Sequence, residues 1–210
     1  MEELLKSMQA AVIEGDKGTV VSLVERALAQ NVPPDEVLNK GLVAGMDVVA
    51  VQFKNAEMYV PDVLISARAM QAGNDLLKPI IAREGKIEKK GKVVIGTVKG
   101  DLHDIGKKLV VMMLEGAGFD VVDIGIDVSA EKFINAVKEL KPDILGMSAL
   151  LTTTMPAMKD VTDMLAETGY KDKVKVMVGG AVVTAGYAEG INAYYADDAG
   201  TAAELAKKII

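Results

Sequence analysis

His103 is the only imidazole in the chain. It stands between two carboxylates, Asp101 and Asp104, in the stretch GTVKGDLHDIGKKL, residues 96–109. An imidazole can ligate a metal or move a proton near neutral pH, and a nearby carboxylate can fix its tautomer. The same three residues also have a plain structural use. Acids at a helix start cap free N–H groups and meet the positive end of the helix dipole. Two further stretches suit the wall of a ligand crevice. SALLTTT, residues 148–154, is small and hydroxylated, and GGA, residues 179–181, lets something approach the backbone; alone, each reads equally as a loop or a turn. The chain has no cysteine, which excludes disulfides, thiolate catalysis and sulfur-ligated clusters. One histidine also excludes a multi-histidine zinc or iron site. Metal chemistry here must use His103 or carboxylates.

The elements that must position these residues fall into two halves with different periods. Residues 1–82 repeat apolar side chains at helical spacing, in MEELLKSMQAAVIEG, TVVSLVERALAQN, VPPDEVLNKGLVAGMDVVAVQFKN and YVPDVLISARAMQAGNDLLKPIIA. Pro33 and Pro34 suit the third start, and Pro61 the first turn of the fourth. Four helices with short links predict a bundle. REGKIEKKGK, residues 83–92, is charged and reads as a linker. Over residues 93–210 short apolar runs alternate with helical patterns. KVVIGTV, FDVVDIGI, DILGMSAL, VKVMVGG and AYYAD read as strands, each followed by a helix. Five such units predict a five-stranded, parallel, doubly wound sheet with helices on both faces. Ligands bind at the carboxyl edge of that kind of sheet. KGDLHDIG, SALLTTT and GGA all fall on that edge.

Composition narrows the field further. Half of the 210 residues are hydrophobic and only 4% are aromatic, so the core is built from Val, Ile, Leu, Met and Ala; the twelve methionines read as core filler. A net charge of −6 argues against a nucleic-acid surface. No apolar run reaches spanning length and the N-terminus lacks signal-peptide character, so the expectation is a cytoplasmic protein that binds no membrane.

The three edge motifs together resemble those of cobalamin-binding domains. Asp101-Leu102-His103-Asp104-Ile105-Gly106 matches Asp-x-His-x-x-Gly, Ser148-Ala149-Leu150 matches Ser-x-Leu, and Gly179-Gly180 matches Gly-Gly. MDVVAVQFKNAEMYVPDVLISARAM is similar to the helical cap of methionine synthase and of corrinoid proteins in methyl-transfer systems. The resemblance covers nearly the whole chain. It implies a four-helix cap followed by a flavodoxin- or Rossmann-like domain that holds a corrinoid, cobalamin or another cobamide, in the base-off form.

The resemblance implies specific roles. His103 is the lower axial ligand of cobalt, and Asp101 accepts a hydrogen bond from its other ring nitrogen. Gly100, Leu102, Asp104, Ile105 and Gly106 frame that ligand. The displaced nucleotide tail occupies a slot contacted by Ser148, Leu150, Thr152, Gly179, Gly180 and Ala199, and Thr154 hydrogen-bonds Asp101. Phe53, Tyr59 and Val60 shield the upper face, with the linker as a hinge. The implied function is a methyl carrier cycling between methyl-Co(III) and Co(I). A substrate-specific methyltransferase loads it from methanol, a methylamine, betaine or a methoxylated aromatic. A second methyltransferase unloads it to tetrahydrofolate or a thiol, and a reductive activation protein restores it. The alternative is the cobalamin subunit of an adenosylcobalamin-dependent mutase, which ordinarily lacks such a cap. A B12-based transcription regulator needs a DNA-binding segment before the bundle. A phosphoaccepting receiver domain needs an aspartate where strand three ends in Ser148.

Overall fold

The computed structural model describes residues 1–84 and 90–210, so most of the expected linker lies outside the described residues. The chain divides into two compact units, one helical and one α/β.

In the helical unit, α1 (Glu2–Glu14) buries Leu4, Leu5, Met8, Ala11 and Val12, a stripe one turn apart along one face. Gly15 ends it in the left-handed region, with φ 71°, where glycine carries no Cβ penalty. Asp16 caps α2 (Lys17–Ala29) by accepting the Thr19 N–H at 3.0 Å. The helix expected from Pro33 onward is three segments in direct succession: α3 (Pro34–Glu36), a π-helical stretch (Val37–Val43) and α4 (Ala44–Lys54). Along this run Gly41 and Gly45 lie against α1. A Cβ at Gly41 would stand 2.5 Å from Met8 Sδ, and one at Gly45 2.9 Å from Val12 Cβ. Tight packing on α1 therefore accompanies the widened turn. Pro61 is the second residue of α5 (Val60–Glu84), where its missing N–H costs no helical hydrogen bond. The α5 helix packs on α2, and α1 packs on both α2 and α4.

The α/β unit alternates β1 (Lys92–Thr97), α6 (Ile105–Gly116), β2 (Asp120–Asp123), α7 (Ala130–Leu140), β3 (Ile144–Ser148), α8 (Pro156–Glu167), β4 (Lys175–Gly179), α9 (Ala185–Gly190), β5 (Tyr194–Tyr195) and α10 (Ala199–Ile209). All pairings are parallel, in the order β2-β1-β3-β4-β5, as the alternating pattern predicts. One face buries Val94, Leu145, Met147, Val176 and Val178 against Phe133 and Val137 of α7 and Met158, Val161 and Leu165 of α8. On α10 the stripe Ala199, Ala202, Ala203 and Ala206 is buried, and small side chains there let the helix lie close. Side-chain caps from Ser129, Thr184 and Asp198 start α7, α9 and α10. The register places Thr97, Ser148 and Gly179 side by side across β1, β3 and β4, so one row of the sheet carries all three strand ends of interest.

Candidate functional site

The chain leaves β1 through a β-turn in which the Asp101 N–H donates to the Val98 carbonyl at 3.1 Å. Gly100 is the third residue of this turn, with φ 81°, a position that needs a left-handed residue. The turn drops the Asp101 side chain into the sheet edge, where it is fully buried. Its Oδ1 accepts the His103 N–H at 3.1 Å and lies 2.7 Å from His103 Nδ1. Its Oδ2 accepts the Leu150 N–H at 2.7 Å and the hydroxyl of buried Thr154 at 2.7 Å. Burial by itself would push this carboxyl up. The hydrogen bonds from Leu150, Thr154 and His103 overcome that and hold it well below the usual carboxylate range.

An ionised Asp101 has only acceptors, so His103 Nδ1 must carry the proton. In the neutral ring Nε2 then keeps a bare lone pair. The His103 side chain is half exposed, in contrast to its partner at 0%. Its carbonyl is held in turn by the Thr97 hydroxyl at 2.9 Å, and Thr97 is fully buried. The arrangement is a pre-oriented, half-exposed nitrogen donor with a buried carboxylate behind it. That is how proteins orient a single-histidine metal ligand and raise its basicity. The neighbouring carboxylate takes no part in this network: Asp104 pairs with Lys108 at 2.5 Å, and that hydrogen bond lowers its pKa.

Several apolar side chains on this sheet edge stand in solvent. Leu102 is 67% exposed and Ile105 78%, and Leu150 and Leu151 are also exposed on the same sheet edge. A Cβ at Gly106 would meet nothing within 4 Å, so no packing within the protein demands glycine there. Polar groups buried beneath and apolar groups exposed above fit a large, flat, mostly apolar metal complex that takes one nitrogen from the protein. Among the described residues no cluster of three or more His, Asp or Glu residues could hold a bare metal ion.

The other residues singled out by the sequence fall in four places. Ser148, half-buried, ends β3, and Leu150 and Thr152, both exposed, follow it. Gly179 and Gly180 end β4, but their missing side chains have a reason inside the protein. A Cβ at Gly179 would come within 2.7 Å of the Ala196 carbonyl, and one at Gly180 within 2.0 Å of the Ala149 carbonyl. Ala199 is buried at the start of α10. In the helical unit, Phe53 is half-buried while Tyr59 and Val60 are exposed, which sets those two apart from ordinary bundle core. Sequence reasoning missed Thr97, the buried Lys107 that pairs with Asp123, and Asp127, which accepts the Gly100 N–H at 2.7 Å.

Two family models, each described as a B12 binding domain, match residues 91–209 and 4–78. Dimethylamine corrinoid protein of Methanosarcina barkeri is 45% identical over 210 residues, covering all of this chain and 98% of its own length. Dimethylamine corrinoid protein 1 of Methanosarcina acetivorans is 43% identical, with the same coverage. Among solved structures, the methanol:cobalamin methyltransferase complex MtaBC from Methanosarcina barkeri matches with a TM-score of 0.88 and 35% identity, over 99% of this chain and 79% of the matched one. A cobalamin-binding protein from Desulfitobacterium hafniense matches with a TM-score of 0.83 and 30% identity, over 98% of both chains. Fold and edge motifs thus define a B12-binding protein. The chain belongs to the corrinoid proteins of methyltransferase systems. No helix among the described residues is long and apolar enough to cross a membrane.

Proposed function

We propose that this protein is the methyl carrier of a methylamine-type methyltransferase system and that it holds its corrinoid through His103 Nε2, with the corrinoid's own base displaced. The observation that carries this reading is the buried Asp101 carboxylate, 2.7 Å from Nδ1 of a half-exposed ring. When bound, the corrinoid supplies a cobalt that accepts a methyl group from one partner and yields it to another. Leu102, Ile105 and Leu150 provide apolar surface beside the ligand, and Gly106 leaves room at the helix start. Ser148, Thr152, Gly179, Gly180 and Ala199 are the residues offered for the displaced tail. Tyr59 and Val60 give the helical unit exposed apolar side chains of the kind that shield a strong nucleophile from water.

Asp101 has a second task in this reading. Whenever the imidazole lets go of the metal, Nε2 can take a proton, and the carboxylate stabilises the resulting cation. Ligation and protonation of one ring are thereby exclusive, and Asp101 favours whichever is present.

The relatives' names point to the donor class: dimethylamine corrinoid proteins in several Methanosarcina species and a trimethylamine corrinoid protein in one. The partners in this reading are a methylamine:corrinoid methyltransferase, a second methyltransferase acting on tetrahydrofolate or a thiol, and a reductive activation protein. The mutase alternative is not favoured by any of these relatives. The test is to load the purified protein with cobalamin and reduce it. Each methylamine and methanol is then offered with the corresponding methyltransferase while the absorption spectrum is followed. Conversion with a methylamine supports the reading; conversion with methanol alone redirects the donor; failure to bind cobalamin at all overturns it.

A further inference from the structure

A second element grips the histidine loop from outside the Asp101 network. Asp127, in the connection between β2 and α7, is a non-glycine residue in the left-handed region, with φ 50°. Such a backbone is unfavourable and persists where the surroundings impose it, often at functional sites. Its carboxylate accepts the Gly100 N–H at 2.7 Å, and its own N–H donates to the Asp101 carbonyl at 3.0 Å. Gly100 is itself left-handed, with φ 81°. Asp127 is therefore tied twice to the neighbouring loop, at the N–H of left-handed Gly100 and at the Asp101 carbonyl, on either side of the Gly100–Asp101 peptide.

The same connection is anchored at its other end. Asp123 takes the buried Lys107 ammonium from the first turn of α6 and accepts the Gly125 N–H at 2.9 Å. The Gly125 carbonyl accepts the Thr97 N–H at 3.0 Å, and the Val128 N–H donates to the Thr97 carbonyl at 3.0 Å. The β2–α7 connection thus reaches the end of β1, the turn before His103 and the helix after it. Asp127 is exposed, so no core packing calls for a carboxylate there.

We propose that Asp127 is a positioning residue for His103: through Gly100 and Asp101 it holds the histidine loop in the form that presents Nε2, and so sets how completely the imidazole ligates cobalt. This rests on the reading of His103 as the cobalt ligand. Asp127→Gly separates the two contributions, because glycine tolerates φ 50° but offers no acceptor. Asp127→Asn is the conservative rescue, since asparagine adopts the left-handed region and its amide oxygen can accept the Gly100 N–H.

The full-length protein, labelled with nitrogen-15 histidine, is loaded with cob(II)alamin, and the electron paramagnetic resonance spectrum is resolved into histidine-ligated and histidine-free components. Asp127→Gly should lower the ratio of the two about tenfold, the worth of one hydrogen bond to a charged acceptor. Asp127→Asn should stay within about twofold of the unmodified protein. A ratio unchanged in Asp127→Gly, with histidine splitting present in the unmodified protein, overturns this proposal alone. Equal losses in the Gly and Asn variants overturn it too, by removing the specific role of the acceptor. Absence of histidine splitting in the unmodified protein overturns the ligand reading, and this proposal falls with it.

Discussion

The two edges of the sheet in the α/β unit differ in kind. At the amino edge, a cavity of about 400 Å³ is lined by Lys159, Asp163, Lys171, Asp172, Lys175 and Tyr194, among others. Its charges are solvated; Lys159 and Asp163, for example, pair at 2.6 Å with both side chains more than half exposed. The carboxyl edge differs in what it buries and what it exposes. Asp101, Thr97 and Thr154 are buried there, each with named partners, while Leu102 and Ile105 stand in water. The comparison teaches that the pattern of burial and exposure, and not a hollow by itself, distinguishes the two edges. A buried carboxylate set behind a half-exposed imidazole, with apolar side chains left in water beside them, marks the edge where a ligand has surface to cover.

The contrast can be broken most severely at Asp101. Asp101→Ala leaves the Leu150 N–H and the Thr154 hydroxyl buried without their acceptor and should destabilise the ligand-free protein by about 3 kcal/mol, read by urea unfolding. Gly106→Val tests the exposed side of the same edge. Nothing in the protein occupies the space beside Gly106, so cobalamin affinity should fall about tenfold or more, beyond the modest helix-propensity change in stability. An unchanged affinity would remove Gly106 from the site.

Acid sharpens the comparison by a smaller amount. The folded-state pKa of Asp101 is depressed, so its contribution is complete above the ordinary carboxylate pKa and is lost as pH falls through the folded value. The stability gap between the unmodified protein and Asp101→Asn should therefore be constant near neutrality and narrow only below about pH 4. A gap that closes nearer pH 6 would point to another group. At the amino edge the expected effect is smallest. Lys171→Ala and Asp172→Ala should each change stability by less than about 0.5 kcal/mol, because solvated surface charges contribute little. Both should leave cobalamin binding untouched.

Much of this was legible in the amino-acid sequence, for reasons that can be named. The strands are short β-branched runs such as KVVIGTV, and the helices between them repeat apolar residues every third or fourth position, so the order of elements and the parallel sheet follow. A lone histidine two residues after an aspartate is a local pattern, and both lie in the one connection between β1 and α6. The π-helical stretch is different, because the packing of Gly41 and Gly45 on α1 is a tertiary event. Asp127 and Gly100 are 27 residues apart, and Lys107 and Asp123 are 16 apart; which loops meet is settled by the sheet, and no short motif records it. Gly179 and Gly180 show the converse. They are conspicuous in the sequence, yet in the structure the adjoining backbones at Ala196 and Ala149 already require them.

The central claim is that one imidazole, aimed by a buried carboxylate, ligates cobalt. Its most direct test is the electron paramagnetic resonance spectrum of the full-length protein carrying cob(II)alamin, prepared with ordinary and with nitrogen-15 histidine. The account predicts that labelling turns the triplet splitting into a doublet, and that His103→Ala abolishes it while cobalamin is still bound at high concentration. A triplet that survives both the label and the substitution would come from the corrinoid's own base and would contradict the account.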